Sequence, residues 1–294
     1  FDASDNLTES CLELIGSVAR VQRLLVPRIP NREFGALLAV AFRAHAALTK
    51  TGSCVAESAL KVVASVVHGA TDQHMKLLLQ TIASELAVPA ERCELVRVWT
   101  AVEVLRVAEE ALRGGAGRHK RLMQQEAAEL TQVVAEKLHS SHGHPGASGK
   151  LLQRVTHAMI RALARLIHYS ASSGIRAARQ TACVLQAVER ASADACDEAW
   201  PVSLGCTQAS MELIAEMARI RARDVLQCMP LFIACIRGAL NAVWSLSARM
   251  KDAGQKLAWE GCAAKLCALY EMLPRSLSAD SLRRYVPYML SDYI

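Results

Sequence analysis

Basic side chains recur at helical spacing between residues 150 and 168, and the chemistry they suggest is the binding of anions. At 100° per residue, six of them fall within about 80° of one helix face. No Asp or Glu relieves their charge between Lys137 and Val188. Such a row attracts phosphate groups above all, because each phosphate that it neutralises releases counterions. The six residues are Lys150, Arg154, His157, Arg161, Arg165 and His168.

Two kinds of partner fit this basic face, and the sequence leaves both open. RNA offers a regular row of phosphates, and A-form RNA is recognised mainly through its backbone and shape. The other partner is an acidic protein surface, either on a neighbouring helix or on a separate protein. Only Tyr169 lies close enough to stack on a base, so sequence-specific RNA recognition is not indicated. Arg176 and Arg179, near the start of the next predicted helix, extend the candidate site.

A second group of metal-ligand residue types lies in the segment from His139 to Gly149. Three imidazoles, those of His139, His142 and His144, fall within six residues. Their spacing matches no familiar set of zinc ligands, and the neighbouring glycines leave the geometry unfixed. No Cys, Asp or Glu nearby offers a fourth ligand. We therefore interpret the segment as a solvated loop and predict no metal site.

The motifs that enzymes use to hold a nucleophile or a nucleotide are missing from the sequence. No G-x-S-x-G pattern places a serine on a sharp turn, and no G-x-x-x-x-G-K pattern forms a phosphate loop. Gly114, Gly115 and Gly117 do not follow a predicted strand, which a dinucleotide site requires. The sequence predicts a protein that is not an enzyme and that needs no cofactor and no small-molecule substrate.

The composition predicts an all-α fold. Hydrophobic residues make up 52% of the 294 residues but aromatic residues only 4%, so burial must come from Ala, Leu and Val. Ala and Leu are strong helix formers, and small side chains let helices pack closely. The net charge of +6 is mild, so the basic face is a local feature rather than part of a general coating for nucleic acid.

Apolar residues at three- and four-residue spacing predict about twelve helices joined by short turns. No alternating pattern predicts a strand. A loop that contains Pro201 and Gly205 is expected to precede the ninth helix. The predicted helices cover roughly residues 7–25, 32–50, 55–68, 72–87, 91–113, 122–138, 150–169, 175–191, 207–227, 230–250, 253–273 and 279–294.

Helices of this length with tight turns fit either a bundle or a stack of helical repeats. We favour the stack, a HEAT/armadillo-like superhelix (α-solenoid), because every helix carries an apolar stripe and no single helix is apolar on all sides. A helix pair takes about 45 residues, as in those repeats, but no repeated motif marks the period. We predict a single domain over residues 1–294. Since the chain begins with Phe1 rather than Met, we expect it to be the C-terminal part of a longer protein.

The longest apolar run, from Met229 to Leu246, is interrupted by Pro230, Arg237 and Asn241. A membrane span would bury the charge of Arg237 at a high cost in free energy. We therefore predict a core helix here and no membrane association.

Ten cysteines occur, none of them in a C-x-x-C pair, and most lie in apolar helical stretches. Buried free thiols in a reducing compartment are the simplest account. The alternative is a disulfide framework, which fits poorly with a chain that has so much aliphatic core.

Aromatic residues are enriched towards the C terminus. Core packing accounts for most of them, and an exposed patch that binds a partner is the alternative for some. They are Trp244, Trp259, Tyr270, Tyr285, Tyr288 and Tyr293.

The segment from Cys262 to Ile294 resembles the C-terminal end of the unhealthy-ribosome-biogenesis protein two family, also called nucleolar pre-ribosome-associated proteins. The preceding helix, near residues 230–250, is similar in character. The resemblance depends on a helix, a short break and a closing helix. The residues that carry it are Leu266, Leu269 and Tyr270 in the first helix and Tyr285, Val286, Tyr288, Leu290 and Tyr293 in the second.

This resemblance implies a large helical-repeat scaffold of the nucleolus that acts in pre-ribosomal RNA processing and early assembly of the large ribosomal subunit (the pre-60S particle). The implied partners are other large-subunit assembly factors and the backbone of pre-ribosomal RNA. The family offers no catalytic motif to look for. The alternative is a helical-repeat adaptor subunit of another cytosolic or nuclear complex, in transport or cytoskeletal regulation.

Overall fold

A computed structural model of the chain contains eleven α-helices and no strand in the part that it describes. The described residues are 26–50, 56–88, 94–114, 120–141, 149–169, 175–195, 202–220, 222–248 and 251–276, with positions 280 and 283. The prediction of an all-α fold is confirmed. The predicted helices at 7–25 and 279–294 lie outside these residues, apart from positions 280 and 283. The chain divides into two compact units, Phe1–Leu130 and Thr131–Ile294, and the prediction of a single domain stays a prediction.

The described part of the first unit contains four complete helices after a 3-10 turn at Val26–Arg28, and the start of a fifth. α1 packs on the other three helices, and α4 packs on α2 and α3 as well. Phe34, Leu38 and Ala41 of α1 are buried, as their spacing predicts. The helices are α1 (Asn31–Lys50), α2 (Ala56–Val67), α3 (Asp72–Ala87) and α4 (Leu95–Gly114), and α5 (Lys120–Ser141) begins in this unit and ends in the second.

α1 and α3 run parallel. Asn31 Nδ2 donates a hydrogen bond to Gln73 Oε1 at 3.4 Å. One turn further on, the Cβ position of Gly35 lies 3.5 Å from Leu77 Cδ2. Both pairs join residues that are 42 apart in the sequence. An equal offset at two successive turns means that the two helices point the same way.

His74 joins the start of α3 to the start of α1. Its Nε2 donates to the Ile29 carbonyl at 2.9 Å, and its Nδ1 accepts from the Thr71 backbone N–H at 3.4 Å. In return, the His74 backbone N–H donates to the Thr71 hydroxyl, which completes a capping box. The imidazole also stacks on Phe34, with ring centroids 4.2 Å apart and the planes within 8°. One side chain thus fixes a helix end and the contact between two helices.

His45 and Thr100 form a buried polar contact between α1 and α4. The Thr100 hydroxyl donates to the Val96 carbonyl at 2.9 Å, so it accepts from His45 Nδ1 at 2.8 Å. Burial lowers the pKa of His45 to about 4, because a charged imidazole would lose its hydration there. The imidazole is therefore neutral at pH 7.

Six helices follow in the described part of the second unit, and each long helix packs on the next long helix but one. α6 packs on α8, α7 on α10, and α8 on α11, while α7 also packs on α8 and α10 on α11. The helices are α6 (Gly149–Tyr169), α7 (Ile175–Ala195), α8 (Val202–Ile220), the short α9 (Ala222–Gln227), α10 (Met229–Ser247) and α11 (Ala253–Ser276).

Polar contacts in this unit recur at a nearly constant offset along the chain. Gln132 Nε2 approaches Cys183 Sγ at 3.9 Å across 51 residues. Cys206 Sγ donates to the Gln153 carbonyl at 3.5 Å across 53 residues, and Cys235 Sγ donates to the Leu185 carbonyl at 2.9 Å across 50. Each helix pair thus takes a nearly constant number of residues, 50 to 53. The prediction of helical repeats is confirmed, although no sequence motif marks them.

The predicted ninth helix and the loop before it need correction. The structure has two helices, α8 and α9, where the sequence predicts one from Thr207 to Gln227, and α8 already begins at Val202. Gly205, which we assigned to a loop, lies inside α8. Glycine costs about 1 kcal/mol in a helix, and the packing of α8 on α6 and α7 outweighs that cost.

The apolar run after Met229 forms α10, a core helix. Phe232, Cys235 and Ile236 are buried, and Pro230 lies in the first turn, where its missing N–H does no harm. Among the described residues, no helix is both long and apolar enough to cross a membrane. The prediction of a core helix is confirmed.

Candidate anion-binding face

α6 is buried on the side opposite its basic residues. Val155, Met159, Leu163 and Leu166 are at most 2% exposed. Their three- and four-residue spacing predicts this burial, and α8 supplies much of the surface against which they pack. Because the apolar side is held in the core, the basic side of α6 must point outward.

Three positions on α6 form the exposed row: Arg154, Arg161 and His168. They recur every seven residues, so Arg154 and Arg161 lie about 10 Å apart along the helix axis. Neither arginine forms an ion pair with any residue that the structure describes. Within the described part of the chain, no carboxylate competes with an external anion for these two guanidinium groups.

His157 lies between the two arginines but is half-buried. The Cβ position of Gly205 on α8 is 3.8 Å from its ring. Burial lowers the pKa of His157, and the charge of Arg161 lowers it further, while Glu212 on α8 acts in the opposite direction. His157 thus contributes packing to this face rather than a permanent positive charge.

His168, at the end of the row, is paired with an acid. Its Nε2 lies 2.9 Å from Glu216 Oε1 on α8, and Arg219 of the same helix donates to the Glu216 carboxylate. The hydrogen bond from Arg219 is the main reason why the pKa of Glu216 falls below its ordinary value, and the nearby His168 adds to the effect. This end of the row is neutralised in part by the protein itself.

The other predicted site residues are less closely connected to the row. Arg165 is half-buried and has an interaction partner of its own. Arg179 is exposed on α7, a helix that touches α6 only over a short stretch. The side chains of Lys150 and Arg176 lie outside the described residues. The structure thus brings together the residues of α6 but adds no contact between them and Arg179.

Sequence reasoning missed three charged residues, Glu212, Glu216 and Arg219, because they lie on a helix about 50 residues further along the chain. One signal could have found them. Glu212 and Glu216 are four residues apart, so they share one face of their helix. The predicted helix-pair length of about 45 residues places that face near His168.

The predicted histidine loop is only partly described. His139 is exposed in the last turn of α5, which continues to Ser141 and so shortens the predicted loop. His142 and His144 lie outside the described residues. Within the described part of the chain, no three His, Cys, Asp or Glu side chains come together in a way that holds a metal ion.

A groove of about 640 Å³ lies in the first unit between α1, α3 and α4. Its apolar side is formed by Ala39, Phe42 and Ala46. Its charged residues include Arg97 and Glu85, which form a bidentate ion pair with distances of 2.6 to 3.0 Å. The two charges satisfy each other.

The described cysteines carry free thiols. They are Cys183, Cys206, Cys228, Cys235 and Cys267. Burial raises the pKa of the Cys235 thiol, which suppresses the reactive thiolate. The two buried cysteines, Cys206 and Cys235, act as packing groups.

Two of the C-terminal aromatic residues can be placed. Trp259 of α11 is fully buried, whereas Trp244 of α10 is 51% exposed. Leu257 of α11, the helix that packs on α10, is 69% exposed.

A comparison of the sequence with protein-family models and with curated proteins finds no match.

Proposed function

We propose that this chain is part of a non-catalytic helical scaffold that binds RNA backbone and protein partners during nucleolar assembly of the large ribosomal subunit. The observation that carries the RNA part is the exposed pair Arg154 and Arg161. The two arginines lie on one helix face and have no ion pair within the described residues. The ribosomal part depends on the resemblance of residues 262–294 to the nucleolar pre-ribosome-associated family.

The helical repeats support a scaffold. Stacked helix pairs present long surfaces with fixed spacing and bury no reaction chamber. Exposed large apolar side chains add a second kind of surface, since Trp244 and Leu257 lie on two helices that pack together. Tryptophan is enriched at the centres of protein interfaces. Large-subunit assembly factors are the proposed protein partners.

One observation favours the alternative of an adaptor in another complex. Glu216 pairs with His168, which shows that part of the basic face already has an acidic partner within the chain. If the remaining arginines also meet acidic side chains on another protein, RNA plays no part. The two proposals therefore differ in what Arg154 and Arg161 bind, which is RNA phosphate in the first and acidic protein side chains in the second.

Binding of a large-subunit ribosomal RNA fragment to the full chain tests the proposal. We expect salt-dependent affinity that falls at least tenfold in the double variant Arg154→Glu and Arg161→Glu, because two attractive contacts become repulsive. Both residues are exposed, so circular dichroism should show an unchanged fold. Arg32→Glu with Arg43→Glu, two exposed residues of α1, makes the same change in net charge elsewhere. If both double variants bind as the wild type does, the RNA role is wrong.

A further inference from the structure

Among the side chains that the structure describes, the exposed part of the basic face is one side chain wide. Arg154, Arg161 and His168 recur every seven residues, and seven residues turn a helix by about 700°, or 20° short of two full turns. The three side chains therefore lie almost on a line parallel to the axis of α6. The line is about 21 Å long from Arg154 to His168.

α8 lies along one side of this line and points in the same direction. The Cβ position of Gly205 is 3.8 Å from the ring of His157, and Glu216 pairs with His168, so both contacts join residues that are 48 apart. Since the earlier residue of α8 meets the earlier residue of α6, the two helices point the same way. The acids of α8 thus follow the basic row in order.

Negative charge borders the row on the α8 side. Glu212 is exposed and acts electrostatically on His157, in the middle of the row. Glu216 lies one turn further on, against His168. Both carboxylates lie on the helix that packs beside the row, so an approaching phosphate experiences their charge. Two arginines and a histidine lie along the line, and carboxylates lie beside it.

From this arrangement we propose that the face binds single-stranded RNA, with one phosphodiester strand laid along α6 and a second strand disfavoured by Glu212 and Glu216. The inference rests on the proposed function and narrows it to one class of RNA. A duplex presents two rows of phosphates, but α6 offers one row of cations. On the side of α8, the second row meets carboxylates and gains nothing.

The test compares two RNA probes with the full chain in a fluorescence anisotropy titration between 50 and 200 mM salt. The probes are a uridine 20-mer and the same strand paired with an adenosine 20-mer. We expect the single strand to bind at least tenfold more tightly than the duplex. Each phosphate contact to a single strand contributes about 0.7 to the slope of log affinity against log salt. Arg154→Gln with Arg161→Gln should therefore reduce that slope by about 1.4.

A second variant tests the role of the carboxylates. Glu212→Gln with Glu216→Gln removes both negative charges and keeps the side-chain shapes. It should raise the affinity for the duplex more than the affinity for the single strand. The ratio of the single-strand affinity to the duplex affinity should therefore fall at least threefold. Glu212→Gln alone should act in the same direction without touching the pair between Glu216 and His168. Arg32→Gln with Arg43→Gln is the charge-matched control in the other unit.

Three results decide between the possibilities. A duplex that binds as tightly as the single strand overturns the inference and leaves the proposed function standing. A loss of slope in the Arg32 and Arg43 control as large as in the α6 variant also overturns it, because the binding is then general. If neither probe binds the wild type at 50 mM salt, the proposed function fails, and the inference fails with it.

Discussion

His168 Nε2 lies 2.9 Å from Glu216 Oε1, although the two residues belong to different helices and are 48 positions apart. The pair forms a side-chain contact between α6 and α8 near the protein surface. Glu216 also accepts from Arg219, so one carboxylate contacts two basic side chains. The chain therefore carries its own counter-ion at one end of the basic row and leaves the other end open.

The stability contribution of this pair should be small and pH-dependent. Glu216→Gln should lower the free energy of unfolding at pH 7 by less than about 1 kcal/mol, since surface ion pairs are worth little. The partners hold the pKa of Glu216 below its ordinary 4.5, so the folded state favours the ionised form. Its contribution is present above pH 4.5 and is lost as the pH falls below that value. Urea unfolding of the wild type and of Glu216→Gln at pH 7 and pH 3 checks this prediction. An equal difference in the free energy of unfolding at both pH values contradicts it.

His45 predicts a second, larger pH effect. Its pKa is about 4 in the folded chain and 6.5 when unperturbed, so the unfolded state binds a proton more readily between these values. The free energy of unfolding should fall as the pH drops from 6.5 to 4, by up to about 3 kcal/mol. His45→Asn keeps a donor for Thr100 and should remove this part of the pH dependence. The exposed His139→Asn is the control, and an unchanged pH profile in His45→Asn contradicts the account.

Two buried hydroxyl groups on α8 predict substitutions that raise stability. Thr207 Oγ1 and Ser210 Oγ have no hydrogen-bond partner among the described residues, and both side chains are at most 1% exposed. Thr207→Val keeps the shape and removes a buried unsatisfied group, so the free energy of unfolding should rise by about 1 kcal/mol. Thr100→Val is the matched control and should lower it by a similar amount, because Thr100 bonds both His45 and Val96. Thermal unfolding measures the stability of both variants. An equal loss of stability in Thr207→Val and Thr100→Val contradicts the account.

His74 predicts a graded loss of stability. His74→Phe keeps a ring against Phe34 but loses the bond to the Ile29 carbonyl and the bond from the Thr71 backbone N–H, so about 2 kcal/mol should be lost. His74→Ala also loses the stack, and the loss should reach about 3 to 4 kcal/mol. Urea unfolding of the two variants orders these contributions. Variants that are equally stable would show that the stack contributes nothing.

Periodicity predicted the helices and their inner faces because both depend on neighbours three or four residues away. The burial of Val155, Met159 and Leu163 follows from spacing alone. The partners of the basic row do not, because Glu212 and Glu216 reach it only through the packing of α6 on α8. Gly205 shows the same limit. Its local preference indicates a loop, and tertiary contacts make it helical.

The central claim is that this chain holds RNA and protein partners in a pre-ribosomal particle. Affinity purification after RNA cross-linking, with the full-length protein as bait, tests it most directly. The account predicts recovery of early large-subunit assembly factors with pre-ribosomal RNA, and loss of the RNA cross-links but not of the proteins when Arg154 and Arg161 become Glu. Recovery of vesicle-coat or motor subunits without pre-ribosomal RNA would contradict it.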